Sequence, residues 1–291
     1  MKNVLIIGKY SYIGESLKAW LGKYPDKYNV DIFASLNGSW KEAEFEKYET
    51  VVDLAGIAHI NKITEDMRDL FYSVNRDLSI EIASWAKAHG TKHFIIFSSM
   101  NVYGDYCDNV SDRSAEAPCS FYGDSKLQGD VGIRKLEDDN FTVSYVRPPF
   151  VYGKGCRGNY NSISNIAKKT PIFPEYPNKK SMIYIDNLCE FVRLVIDERV
   201  GGILTPQNKE LVSTSDLVRM IAKYNHKKIL FTKLFNQIIK SAVKLTRTFR
   251  RAFADDCYIP ELSDYWNYKY CVVSFDDSIQ RTECVKEEEN D

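Results

Sequence analysis

Apolar runs alternate with helix-spaced patterns through the first half of the chain. The runs at residues 4–7, 30–34, 51–54, 94–97 and 143–146 are short and rich in Val, Ile, Leu and Phe. Strands of that texture are covered on both faces rather than one. Between them, residues 14–21, about 74–88 and about 122–136 carry apolar side chains at helical spacing. Such alternation predicts an α/β fold: a doubly wound parallel sheet with crossover helices on both faces. One interval is short, since only about 15 residues separate Ala34 from Val51. That is too few for a full helix plus a normal strand, so the sheet is expected to be trimmed on that side.

After Val146 the texture changes. The stretch RPPFVYGKGCRGNY is rich in Pro, Gly and basic residues, and the helical patterns that follow are joined by long polar connections. The chain is therefore divided into residues 1–150, which build most of the sheet, and 151–291, a smaller subdomain interleaved with the end of the sheet. The final VKEEEND is an acidic tail expected to fray.

Composition narrows the class. The 291 residues carry a formal charge of -1, which gives no global pull toward nucleic acid. Seven cysteines are scattered singly, with no C-x-x-C pair and no metal-ligand spacing. With no secretory leader in the sequence, this usage is expected of a reducing cytoplasm and of a protein without a metal site. No apolar run approaches the ~18 residues that span a bilayer.

The stretch GKYSYIG, residues 8–14, joins the first strand to the first helix. Backbone N–H groups and the positive helix end converge at such a turn and suit a phosphate. Gly8 permits the tight turn, and Gly14 lets the helix pack closely on the strand. Ser11 stands where a further glycine usually lets the backbone approach a pyrophosphate; serine is small, and its hydroxyl can donate to a phosphate oxygen. Gly8, Ser11, Tyr12, Ile13 and Gly14 are thus the candidate cofactor contacts. The acid that would hold the adenosine ribose at the end of the second strand is missing, for Ala34 and Ser35 occupy that end and Asp31 comes too early. Without that carboxylate a 2'-phosphate is not repelled, and Lys9 would attract one. NAD is expected, with NADP open.

A more specific signal follows. FIIFSSMNVYG ends a strand at Ser98 and Ser99, and FYGDSK places Tyr122 and Lys126 four residues apart at the start of a helix, on one face. A free phenol has a pKa of about 10 and is a poor base at neutral pH. A neighbouring ammonium and a cationic nicotinamide would favour the phenolate, and a serine hydroxyl from the strand end would bridge phenol and substrate oxygen.

With these motifs the sequence resembles the extended short-chain dehydrogenase/reductase family, and in particular its nucleotide-sugar epimerases. The resemblance is carried by GKYSYIG, VVDLAGIAH at 51–59, Val74-Asn75, SSMNVYG at 98–104, YGDSK at 122–126, RPPFVYGKG at 147–155 and KKSMIYIDNL at 179–188. It is expected to cover nearly the whole chain. It implies a Rossmann-type dinucleotide-binding domain at 1–150 and a substrate-binding subdomain at 151–291. It further implies Ser99, Tyr122 and Lys126 as the catalytic trio, Lys126 also holding the nicotinamide ribose. Leu54, Ala55, Gly56 and Asn75 would lie against the cofactor, and Asn159 and Lys180 would contact the substrate diphosphate.

The reaction this implies is epimerisation at C4 of a UDP-hexose or UDP-N-acetylhexosamine, by transient hydride transfer to bound NAD with Tyr122 as base. Met100-Asn101 replace the acids that related dehydratases use after the catalytic serine, so the resemblance does not extend to dehydration. Three alternatives stay open: an NADPH-dependent keto-deoxysugar reductase, an epimerase of an N-acetylhexosamine on a polyprenyl diphosphate, and a non-catalytic dinucleotide-binding regulator. The helices at about 74–88 and 122–136 form a dimer interface in relatives, which implies a homodimer. Residues 227–254 hold eight Lys or Arg and no acid, with apolar residues near helical spacing. They are expected to pack one face and turn a cationic one outward, which could contact a membrane peripherally.

Overall fold

The computed structural model describes residues 1–36, 38–58 and 64–284, and for Arg247 the backbone alone. The acidic tail at 285–291 and His59 of the VVDLAGIAH stretch lie outside the described residues. A six-stranded parallel sheet forms the centre. Its strands are β1 (Lys2–Ile7), β2 (Tyr28–Phe33), β3 (Thr50–Asp53), β4 (His93–Phe97), β5 (Thr142–Val146) and, from the C-terminal half, Gly202–Leu204. The spatial order is β2-β1-β3-β4-β5 and then Gly202–Leu204.

The unbroken apolar runs have the cause expected of them. Val4, Ile6, Val52, Ile95 and Phe97 enter one core layer, while Leu5, Ile7, Val51, Phe94 and Ile96 enter the other. Successive side chains point to opposite faces, so a strand buried on both must be apolar at every position. The first layer is roofed by α1 (Tyr12–Leu21) and a helix at Ile185–Glu198. The second is roofed by the long helical run that begins with α2 (Arg68–Tyr72), passes through a π-helical turn at Ser73–Leu78 and continues as α3 (Ser79–Ala88), and by α4 (Phe121–Arg134).

The short interval before β3 is trimmed as its length requires. Two 3-10 turns, Ser39–Glu42 and Phe45–Lys47, replace a crossover helix, and no described strand lies outside β2. The chain therefore leaves β1 toward β2, then returns to the other side of β1 for β3, which opens a crevice beyond the carboxyl ends of β1 and β3.

The C-terminal half adds one helix to the roof of the sheet and one strand to its edge. After β6 (Phe150–Tyr152), α5 (Asn159–Lys169), β7 (Ile172–Pro174) and β8 (Met182–Tyr184), the chain forms α6 (Ile185–Glu198) against α1, then β9 (Gly202–Leu204) beside β5. Strand pairs β6–β8 and β7–β10 (Leu230–Thr232) are small and parallel. Helix α7 (Thr214–Tyr224) packs on α5 and on α10 (Phe275–Glu283). Residues 227–254 are not one amphipathic helix but β10, α8 (Asn236–Leu245) and α9 (Arg247–Phe253), with an extended backbone at Thr246 between the helices. Among the described residues no helix is long and apolar enough to cross a membrane.

Candidate active site

The turn after β1 is built by contact too close for side chains. A Cβ on Gly14 would lie 2.5 Å from the Gly8 carbonyl oxygen, and one on Gly8 would lie 2.7 Å from Leu54 Cβ. Ser11 caps α1: its hydroxyl accepts from Gly14 N–H at 3.0 Å and donates to the Gly8 carbonyl at 2.6 Å. The hydroxyl proton expected for a phosphate is thus already used within the turn. What the turn offers an anion instead is the backbone N–H groups of Tyr12 and Ile13, which lack partners among the described residues as first-turn donors do. Tyr10 takes a left-handed backbone (φ 71°), and its N–H is bonded to the Glu15 carboxylate at 3.0 Å. Gly8 and Gly14, with two open N–H groups between them, fit the diphosphate of a dinucleotide. Tyr12 runs inward, its phenol against Gly153.

At the outer end of the turn, Ala34 follows β2 directly, and Asp31 sits within the strand opposite Leu5, where it accepts from the Tyr48 hydroxyl at 2.8 Å. No carboxylate from β2 therefore stands at that end. Lys9 is exposed beside the Tyr10 ring.

The inner end is dense. Leu54, Ala55 and Gly56 follow β3, and Asn75, buried in the π-helical turn, pins the residues just after them. Its carbonyl oxygen accepts from Ile57 N–H at 2.8 Å, and its amide donates to Ser125 at 3.0 Å on α4. A Cβ on Gly56 would meet Lys126 Nζ at 2.8 Å, so this position too is held close. Ser99 leaves β4 and caps the following 3-10 turn at Met100–Tyr103, its hydroxyl donating to Asn101 Oδ1 at 3.0 Å. Helix α4 begins against that turn, since a Cβ on Gly123 would fall 2.4 Å from the Asn101 carbonyl oxygen. Tyr122 is thereby set beside Ser99.

Burial pushes the Tyr122 phenol above its ordinary value, and the Ser99 hydroxyl pulls it back in part. The lysine behaves differently from its expected part as a partner of the phenol. Fully buried, Lys126 donates to the carbonyls of Ala55 at 3.0 Å and Phe97 at 2.9 Å, stapling the ends of β3 and β4. Burial draws its pKa down, and the carboxylates of Asp53 and Asp130 oppose that.

Those two acids were not singled out from the sequence. Asp53 ends β3 with no exposure; burial pushes its carboxyl up to about 6 against the pull of Lys126 and the Ala55 N–H. Asp130 lies one turn beyond Lys126 on the same face of α4. It accepts from Ser98 at 2.9 Å and from the guanidinium of Arg147 at 2.8 Å. Arg147, also buried, further donates to Tyr103 at 2.9 Å and Glu116 at 2.6 Å. The signal in the sequence was the run Tyr122, Lys126, Asp130 at four-residue spacing, together with a lone acid in an apolar strand.

Gly8 through Gly14, Leu54 through Gly56, Asn75, Ser99, Tyr122 and Lys126 all gather at the carboxyl ends of β1, β3 and β4. The two substrate candidates stand on different elements. Asn159 opens α5, whereas Lys180 sits between Val212 and Asp256, its ammonium 5.5 Å from the centre of the Tyr106 ring and 3.4 Å from the Arg251 carbonyl. Tyr106 helps line a cleft walled by Tyr176, Lys240, Phe253 and Asp255. Burial draws the Lys180 pKa down, with Asp256 opposing.

A family model described as "NAD dependent epimerase/dehydratase family" matches residues 4–204. The match contains every motif that carried the resemblance and stops at Leu204, short of the nearly whole-chain coverage expected. A UDP-glucose 4-epimerase of Vibrio cholerae is 28% identical over 193 residues, 62% of this chain and 58% of that protein. The N-acetyl-alpha-D-glucosaminyl-diphospho-ditrans,octacis-undecaprenol 4-epimerase of Escherichia coli O157:H7 is 28% identical over 189 residues, 60% of this chain and 57% of that protein. The matched part thus spans a little over half the length of each relative. Among solved structures, a Bacillus cereus UDP-glucuronic acid 4-epimerase in complex with NAD superposes with a TM-score of 0.72 at 18% identity, covering 97% of each chain. That likeness extends the shared fold through the C-terminal half.

Proposed function

Because the chain belongs to the NAD dependent epimerase/dehydratase family, we propose that it inverts C4 of a hexose or N-acetylhexosamine carried on a diphosphate. The observation that carries this reading is the placement of Ser99 beside Tyr122, over a lysine bonded to the ends of β3 and β4. A bound nicotinamide dinucleotide supplies reversible acceptance of hydride from a sugar carbon. The Gly8–Gly14 turn, the 54–56 turn and Asn75 would hold it along the crevice. Ser99 orients the sugar hydroxyl, and Tyr122 takes its proton and later returns it on the same oxygen. Lys126, with three donors and two of them on carbonyls, keeps one for the ribose. Lys180 and the cleft beside Tyr106 are assigned to the diphosphate side; Asn159 has less support.

Residues 1–150 carry the dinucleotide and 151–291 the sugar in this reading. A homodimer would form through the outer faces of the helical run at 74–88 and of α4, where Val131 is exposed; a monomer in sedimentation velocity at micromolar protein would overturn that assembly. Polysaccharide building in the cytoplasm is the setting such a substrate suits.

A second reading, reduction of a keto-deoxysugar by NADPH, is favoured by one observation: the outer end of the turn offers Lys9 and no β2 carboxylate. Incubating purified protein with UDP-N-acetylglucosamine or UDP-glucose and no added reductant separates the two. Epimer formation supports the first reading. Turnover of keto sugars only, with stoichiometric NADPH consumption, moves the assignment to the second, and absence of dinucleotide binding overturns both.

A further inference from the structure

The segment after α7 departs from the amphipathic packing its sequence predicts. Leu234 is 83% exposed, Ile238 66% and Leu245 81%, with Phe235 and Phe249 also exposed. Ile238 and Leu245 are seven apart and share one side of α8, and Leu234 is exposed in the turn just before the helix. The helix is anchored by its other side. Ile239 is buried, the Asn236 amide donates to the Glu175 carbonyl at 3.0 Å, and Lys240 and Val243 line the cleft beside Tyr106. The apolar stripe is thus held outward by a packed helix.

Within this segment the charge has one sign, while Asp108 and Asp255 line the cleft beside Lys240. Lys227, Lys228, Lys233, Lys240, Lys244, Arg250 and Arg251 are all exposed, and residues 227–254 contain no acid. Just upstream, Arg219 and Lys223 are paired with Asp216 and Asp276. Burying this face against a second copy of itself would bring two such cationic sets together, at a cost in like-charge repulsion. An anionic lipid surface takes both parts at once: acyl chains receive the Leu and Ile side chains, and headgroup phosphates receive the cations.

We propose that α8 and the start of α9 lie in the plane of an anionic bilayer surface, with Leu234, Ile238 and Leu245 entering the boundary between headgroups and acyl chains. This rests on the exposed surface alone and not on the epimerase reading. The same helix walls the cleft beside Tyr106, so docking would set that cleft at the lipid interface.

Flotation with vesicles of phosphatidylglycerol and phosphatidylcholine in equal parts tests it. The full chain is expected to float with these at low salt, to stay behind with pure phosphatidylcholine, and to lose binding as salt screens the headgroups. The combined exchange Leu234→Ser, Ile238→Ser and Leu245→Ser is expected to weaken binding about tenfold or more. Hydrogen exchange on the unaltered protein gives an independent reading, with protection on vesicle addition expected over residues 230–251. Failure to float at low salt, equal flotation of the serine variant, protection confined to other segments, or a dimer that the serine variant dissociates would each overturn the proposal. Sugar turnover is not required for any of these readings.

Discussion

The two ends of the crevice are built to different densities. At the inner end, Lys126 donates to two carbonyls, Asn75 bonds the residues after β3 and α4, and Arg147 joins Asp130, Glu116 and Tyr103 beneath them. At the outer end, Tyr10 is 77% and Leu36 69% exposed, β2 ends without a carboxylate, and only the Ser11 hydroxyl and the Glu15 carboxylate bond the turn through side chains among the described residues. Chemistry that must place a proton within a fraction of an ångström calls for groups whose own positions are fixed by others. Binding an adenosine half does not. The contrast therefore separates where this chain can vary from where it cannot.

The largest expected effect is at the inner end. Tyr122→Phe should lower kcat by about a thousandfold or more while dinucleotide affinity and the thermal midpoint hold, because only the proton-handling oxygen is lost. Turnover within tenfold of the parent would remove the phenol from the reaction. Next is Arg147→Met. It leaves Asp130 buried without its guanidinium, while Glu116 keeps Arg134, and denaturant unfolding should show a loss of about 3–5 kcal/mol. A loss below ~1 kcal/mol would mean that the density beneath the site is not what holds it.

Smaller effects belong to the outer end. Ala34→Asp should weaken NADP binding by about tenfold or more, with NAD affinity held or improved, since a carboxylate there repels a 2'-phosphate. Equal loss of both cofactors, by titration calorimetry, would show that the adenosine half does not lie along β2. The finest test concerns Ser11. As a cap, Ser11→Ala should cost about 1 kcal/mol and Ser11→Gly only a few tenths, with dinucleotide affinity little changed by glycine. A large drop in affinity for the glycine variant would return the hydroxyl to the phosphate.

Much of the scaffold was legible because burial on both faces leaves a strand no freedom of composition. Val4 through Ile7 and Phe94 through Phe97 show this directly, and the missing crossover before β3 followed from chain length alone. The trio Ser99, Tyr122 and Lys126 was legible as spacing, and the structure brings these residues together. What the sequence withheld were choices among partners. Nothing in GKYSYIG says that the Ser11 proton goes to the Gly8 carbonyl, and nothing in YGDSK says that Lys126 reaches two strand ends. Arg147 and Asp130 meet only once β5 lies beside β4 and α4 crosses both. In residues 227–254 one helical spacing was read across what folds as β10, α8 and α9, and the apolar set divides: Ile239 packs inward while Leu234, Ile238 and Leu245 face outward, because helical period fixes which residues share a face and leaves open what that face meets.

The trimmed crossover has a further consequence, for the rim of the sheet rather than for the crevice. With no described strand outside it, β2 presents a row of backbone donors and acceptors along its free side, the pattern that recruits strands from other chains. Asn29 and Asp31 are the exposed residues of that strand. A carboxylate in the middle of an edge strand opposes pairing with an identical neighbour, whose own Asp31 would approach it. Asp31, too early in the strand to hold a ribose, is well placed to keep that rim from pairing with another copy of the chain.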